Sequence, residues 1–155
     1  MYYTRYVGST GGSIILKAGM DGSEPTSLVR GSGDADGIDI DLQSKRIYWA
    51  EFYNNRIGSS NLHGGDMFTV ALNTSGPYGI AIVGERVWWG HPWSGVVQSV
   101  SKSGSGIRTE FTAQYNTRQF VVPNWEPLRT RQNHCDQQIC LGICVLSPNS
   151  FRCLP

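Results

Sequence analysis

The chain has 155 residues, 39% of them hydrophobic and 16% charged, and a net charge of +1. That is length for one ordinary domain, or for a domain and a small module. The near-neutral balance argues against a nucleic-acid-binding face. No apolar run approaches the ~18–20 residues of a membrane-spanning helix, so no direct membrane insertion is expected of this segment.

Nineteen glycines beside five Trp and seven Tyr suit short strands and tight turns better than helices. Three aromatic doublets recur in phase: Tyr2-Tyr3-Thr4-Arg5, Tyr48-Trp49-Ala50-Glu51 and Trp88-Trp89-Gly90-His91. The first unit opens at its doublet and runs into Gly8-Ser9-Thr10-Gly11-Gly12-Ser13. That stretch lacks the Gly-Lys-Ser/Thr ending and the following helix of a phosphate loop, and reads as a hairpin loop. The unit turns again at Asp21-Gly22 and holds three strands.

In the second unit strands are expected at 37–42, 46–50, 56–61 and 67–72. Along the first of these, Ile38, Ile40 and Leu42 point one way, and Asp39 and Asp41 the other, toward solvent. Asp34, Asp36, Asp39 and Asp41 invite a calcium reading. The EF-hand spacing is not met, because Gly37 comes one position early and no Glu follows in place. His63-Gly64 makes the late turn of this unit, and Asn73-Thr74-Ser75 is an N-glycosylation sequon in the polar link that follows. The third unit is expected to have strands at 78–83, 86–89, 96–101 and 107–112, and a further short strand at 119–122. Four strands in 40–50 residues make one propeller blade.

Tyr2, Tyr3, Tyr48, Trp49, Trp88 and Trp89 are expected to be packing residues, the second aromatic of each doublet filling the space between neighbouring blades. Phe52 and Tyr53, in the loop after one doublet, and Trp93, in the equivalent loop of the next, are the candidate ligand contacts, aromatic anchors of the kind enriched at interfaces. Trp125 is expected to pack under the C-terminal connection.

All four cysteines lie near the end, Cys135, Cys140, Cys144 and Cys153. Zinc would want paired C-x2–4-C ligands or a His pair, and only His134 is near. Two disulfides are the better reading, and they imply an oxidising, extracytoplasmic setting. Residues 1–6 are not a signal peptide, so the chain reads as a piece of a longer protein.

The doublets, with Gly37-Ile38-Asp39-Ile40-Asp41 before one and Asp21-Gly22 after another, resemble the YWTD (class B) repeats of low-density lipoprotein receptor-related proteins. In that family the last blade runs into an EGF-like module opening Asn-x-Cys, which Asn133-His134-Cys135 matches. The resemblance covers nearly the whole chain. It implies an all-β fold: a partial YWTD propeller of three blades over 1–131, then a truncated EGF-like module over 133–155. It also departs from the family. Arg5, Glu51 and His91 stand where the family has Asp, which puts a capping role for that carboxylate in question in at least two of the blades. Three units stand against a family ring of six. Residues 120–122 would then be the strand that closes a ring, and the remaining blades of the parent chain would be partners. Alone, a three-blade piece is expected to associate through its uncovered faces.

No nucleophile elbow and no nucleophile–base pair stand out; no enzyme activity, cofactor or metal is expected. The resemblance implies an extracellular protein-binding module, part of an endocytic or signalling receptor ectodomain, with a secreted protein as ligand. A secreted matrix component using the same propeller–EGF pair is the alternative, and a propeller hydrolase a more distant one. His63, His91 and His134 read first as loop residues, with a pH-dependent role in ligand release implied only by the resemblance. The EGF-like order implies disulfides Cys135–Cys144 and Cys140–Cys153. Peptide mapping without reduction is expected to recover those two pairs, and a Cys135–Cys140 peptide would overturn the module assignment.

Overall fold

The structure, a computed structural model, describes residues 1–8, 12–112, 143–147 and 150–154. The chain divides into two compact units, Met1–Val122 and Pro123–Pro155.

The first unit is built of three sheets. The first sheet holds β1 (Tyr2–Tyr6), β2 (Ser13–Lys17) and β3 (Thr26–Ser32). The second holds β4 (Ala35–Asp41), β5 (Arg46–Glu51), β6 (Arg56–Asn61) and β7 (Phe68–Leu72). The third holds β8 (Ile80–Val83), β9 (Arg86–Gly90), β10 (Val96–Ser101) and β11 (Arg108–Thr112). Within each sheet the strands pair antiparallel in chain order, a simple meander. Among the described residues the first sheet has no equivalent of β4 and β8.

The second unit contributes a two-stranded hairpin, β12 (Ile143–Ser147) and β13 (Ser150–Leu154), with Cys144 opposite Cys153 in the register. Cys135, Cys140, Asn133, His134, Trp125 and the strand expected at 119–122 lie outside the described residues, and so does the pairing of the cysteines.

The sheets of the first unit pack face to face. Ile15, Val29, Ala35, Ile47 and Trp49 form the core between the first and second, with Tyr2, Ile38 and Ile40 against it. Tyr48, Ala50, Ile57, Val70, Ile80, Val87, Trp89 and Val100 form the core between the second and third. A strand sends successive side chains to opposite faces. In β5, Ile47 and Trp49 therefore go to one core and Tyr48 and Ala50 to the other, and all four are buried. Trp89 is 0% exposed, Tyr48 1% and Trp49 3%; Tyr3 and Trp88 are half-buried.

Burial on both faces corrects the expectation for β4. Asp39 and Asp41 do not face solvent. They face the third sheet, while Ile38 and Ile40 face the first. Asp39 accepts the backbone N–H of Ile40 and that of Ile82, both at 2.8 Å. Asp41 is buried and accepts from the Ser44 hydroxyl at 2.6 Å, from the N–H groups of Gln43 and Ser44, and from Lys102 Nζ at 2.5 Å. Leu42, expected inward, is 77% exposed, because the strand ends at Asp41 and Leu42 opens the turn. In a strand covered on both sides, alternation separates an apolar neighbour from a polar one, not protein from water.

At the fourth position of the motif the second sheet keeps a carboxylate. Glu51 is wholly buried and does act as a cap. Its carboxylate accepts from Trp49 Nε1 at 2.6 Å, Asn54 Nδ2 at 2.8 Å, and Arg56 Nε and Nη2 at 3.0 and 2.7 Å. Four donors, two of them on the Arg56 guanidinium, satisfy a carboxylate that could not otherwise be buried. In the third sheet His91 takes this place. Its ring nitrogens face Ser75 O and Gln98 Oε1 at 3.2 and 2.9 Å, and among the described residues Trp89 Nε1 finds no hydrogen-bond partner.

Two further devices repeat. Arg46 and Arg86, each leading a doublet strand, reach Ser59 and Ser99 on the next strand and a turn carbonyl beyond, that of Asp66 or Gly106. Gly64 and Gly104, at φ +83° and +88°, bring their turns against the preceding sheet. A Cβ there would lie 2.5 Å from Leu28 O and 2.9 Å from Val70 O respectively, so only glycine fits the approach.

Trp49→Ala is expected to lower stability by ~3–5 kcal/mol, through a cavity between two sheets and a carboxylate losing a donor. Trp93→Ala, in an exposed loop, should cost no more than the ~0.5–1.5 kcal/mol of its edge-to-face contact with Phe52. Denaturant midpoints decide, and equal losses would refute the assignment of Trp49 to the core.

Burial alone would raise the Asp41 pKa, but the hydrogen bonds from Lys102 and Ser44 outweigh it and hold it at about 2, from a reference of 3.8. A carboxylate depressed in the fold adds stability that is complete above its unfolded pKa and is lost as pH falls through its folded one. Removing Lys102 with Lys102→Met is expected to destabilise the chain by roughly 2 kcal/mol at neutral pH. The difference from the parent should shrink as pH falls from about 4 to about 2. Thermal unfolding across that range measures it.

Candidate recognition groove

In an antiparallel meander the loop from the second to the third strand and the connector to the next sheet leave from the same end. Residues 52–55 and 91–95 are such loops, and 33–34 and 73–79 such connectors. The chain therefore gathers Asp34, Phe52, Tyr53, Tyr78 and Trp93 at one end of the sheets, although they are spread over 60 positions of sequence.

Hydrogen bonds hold these segments. Phe52 N–H donates to Asp34 O at 3.2 Å, tying loop to connector, and Asn55 N–H closes the turn on Phe52 O at 3.3 Å. His91 N–H bonds Val96 O at 2.9 Å and so sets the base of the Trp93 loop. Phe52 is half-buried at the centre of an aromatic cluster. Tyr53 and Trp93 meet it edge-to-face at 5.0 Å, and Tyr78 at 6.3 Å. Such pairs are worth ~0.5–1.5 kcal/mol beyond their burial, which fixes a shape while leaving Tyr53 72% and Trp93 67% exposed.

Three adjoining recesses of about 370, 260 and 270 Å³ share Asp34 as a wall and together form one groove. Tyr6 lines the end nearest β1, Asp36 the middle, and Tyr78, Pro92 and Trp93 the other end. Among the described residues that line it, Asp34 and Asp36 are the only charged ones, and none is Lys or Arg. Enclosure by the groove, and then the Asp34 carboxylate, raise the Asp36 pKa. The arrangement is chemically suited to a cation. Two carboxylates supply charge, and the aromatic rings supply faces to which an ammonium or guanidinium is attracted.

The three loop aromatics read from sequence, Phe52, Tyr53 and Trp93, thus come together. Tyr6, Asp34, Asp36 and Tyr78 join them unannounced; the available signal was their position in segments that share an end with the doublet loops. The four-Asp cluster does not survive as a unit, because Asp39 and Asp41 belong to the contact between sheets. No group of three or more His, Cys, Asp or Glu with metal-holding geometry occurs among the described residues. Asn73 is exposed at the exit of β7, and His63 is exposed in a turn at the opposite end.

A carboxylate whose pKa is raised in the fold loses stability as pH rises through that value and regains it as pH falls. Asp36→Asn is therefore expected to stabilise the chain slightly at neutral pH, by no more than the ~0.5 kcal/mol of surface substitutions. The advantage should vanish in acid. Thermal melts at the two pH values test the sign.

No protein-family model matches the chain. It is 24% identical over 141 residues, 90% of its length, to low-density lipoprotein receptor-related protein 5 of Homo sapiens, and equally to that of Mus musculus. It is 23% identical over 123 residues, 75% of its length, to low-density lipoprotein receptor-related protein 4 of Homo sapiens. The chain spans 9% of the first two relatives and 6% of the third. Among solved structures it is similar to a chain in the crystal structure of a nidogen/laminin complex, with a TM-score of 0.58 at 22% identity, over 67% of this chain and 42% of that one. With the in-phase doublets and the stacked meander sheets, these likenesses identify the fold as that of a YWTD-repeat β-propeller.

Proposed function

We propose that the chain is a non-enzymatic, extracellular protein-recognition module of a receptor ectodomain, and that the aromatic and acidic groove is its binding surface. The observation that carries this reading is the Phe52, Tyr53, Tyr78 and Trp93 cluster set beside Asp34 and Asp36, with no basic residue among the described residues that line the groove. Rigid aromatics with polar tips are the residues that dominate binding energy at protein interfaces. The likeness to receptor-related proteins supports the location. No helix among the described residues is long and apolar enough to cross a membrane. The partner that suits the groove is an extended segment carrying Lys or Arg beside an apolar side chain. A structural role in a matrix assembly is the second reading, favoured by the likeness to a chain of the nidogen/laminin complex.

The test uses the immobilised chain and short synthetic peptides of basic-apolar and acidic-apolar composition. The basic peptide is expected to bind and the acidic one not, with affinity falling as salt rises. Trp93→Ala should weaken binding about tenfold or more, and Asp34→Asn with Asp36→Asn should remove its salt dependence. Leu42→Ala, at the other end of β4, should change nothing. Equal binding of both peptides, or equal loss in the Leu42 and Trp93 variants, would overturn the assignment of the groove.

A further inference from the structure

The link between the second and third sheets holds two adjacent features that packing leaves unexplained. Asn73, immediately after β7, is exposed and has φ +57°. Asn is one of the few residues that enter this left-handed region readily, so its backbone accounts for its identity. Ser75, two residues on, is also exposed and has φ +55°. Serine has no such preference, and glycine would hold this conformation without strain. The Ser75 carbonyl faces His91 Nδ1 at 3.2 Å, but that contact needs no particular side chain. Among the described residues no hydrogen bond involves its hydroxyl. Thr74 between them is buried, with its N–H bonded to Asn55 O at 3.1 Å, so the link is anchored at its middle and presents residues 73 and 75 outward.

We propose that Asn73 is an N-glycan attachment site, and that the Ser75 hydroxyl is retained as the second half of its acceptor sequon. Asn73-Thr74-Ser75 is the single Asn-x-Ser/Thr sequence in the chain. In the transfer, Nδ2 of Asn73 displaces the lipid-pyrophosphate carrier from the anomeric carbon of the donor oligosaccharide. One C–N bond forms, one C–O bond breaks, and the Nδ2 proton leaves. The position also decides what the glycan does. Gly76 lies under the Phe52 ring and Tyr78 lines the groove, so the link runs from the glycan root to the binding surface in five residues, at most ~18 Å of extended chain. A glycan there stands at the rim of the groove on the side of the third sheet. It limits approach from that edge and leaves the end nearest Tyr6 clear.

The test expresses the full 155-residue chain behind a cleaved secretion signal in animal cells, and reads both the retained and the secreted pools, since transfer precedes folding. Peptide N-glycosidase should remove a mass of one glycan and convert Asn73 to aspartate, seen by peptide mass. Asn73→Asp keeps the backbone preference, and Ser75→Ala keeps the acceptor amide; both are expected to abolish the shift. Ser75→Thr should retain it. Occupancy is read without any binding measurement, so its outcome is independent of the groove's proposed partner. An unshifted parent chain together with an unshifted Ser75→Thr chain, in both pools, would overturn the proposal. So would a shift that persists in Asn73→Asp.

Discussion

The second sheet of the first unit is covered on two faces, and β5 shows what that demands. Four consecutive residues, Ile47 to Ala50, are buried in alternation against two different sheets. At ~25 cal/mol per Å² of apolar surface, the two aromatics alone bring several kcal/mol to the contacts between sheets. Much of the remaining design can be read as a consequence. A strand with no wet face has no place for a polar side chain unless the neighbouring sheet supplies its partner. Asp39 therefore takes the N–H of Ile82, and Asp41 takes Lys102. These polar contacts fix the register of one sheet on the next, which apolar packing alone leaves permissive.

The same constraint divides labour between the two ends. At one end the third-to-fourth-strand turns are pressed against the preceding sheet, with Gly64 against Leu28 O and Gly104 against Val70 O, and Arg46 and Arg86 bind turn carbonyls there. Those turns are committed to assembly. At the other end the loops are held at their bases, by Phe52 N–H on Asp34 O and by His91 N–H on Val96 O, while Tyr53 and Trp93 at their tips are exposed. Aromatic side chains of low conformational entropy on a rigid base are an inexpensive way to present binding surface. The acidic groove and its exposed rings lie on that end.

Glu51 and His91 show one position solved in two ways. Where β6 begins with Arg56, a buried carboxylate is neutralised and also takes the Trp49 indole N–H. Where β10 begins with Val96, that strand position supplies no cation. The His91 ring faces Ser75 O and Gln98 Oε1 instead, and among the described residues the Trp89 indole N–H has no acceptor. The departure at residue 51 is in chemistry conservative, and the departure at residue 91 is a different local network. A motif read one letter at a time does not distinguish them, because the distinction lies in the residue facing each across the hairpin.

The sequence by itself determined the repeat, the strand count in the three blades, and the loops that carry Phe52, Tyr53 and Trp93, because these follow from local alternation, turn chemistry and the spacing of the doublets. It misplaced Asp39, Asp41 and Leu42, since alternation reports that two faces differ without saying what covers each. It also left Glu51 without a role, and did not join Asp34, Asp36, Tyr6 and Tyr78 to the loop aromatics. Only the tertiary structure decided those points. Stacking turned a presumed solvent face into a contact between sheets, and the meander brought segments distant in sequence to one end. Whether a carboxylate lies in water, beside a lysine or beside an aromatic groove depends on the neighbouring sheet, and no stretch of chain contains its own neighbour.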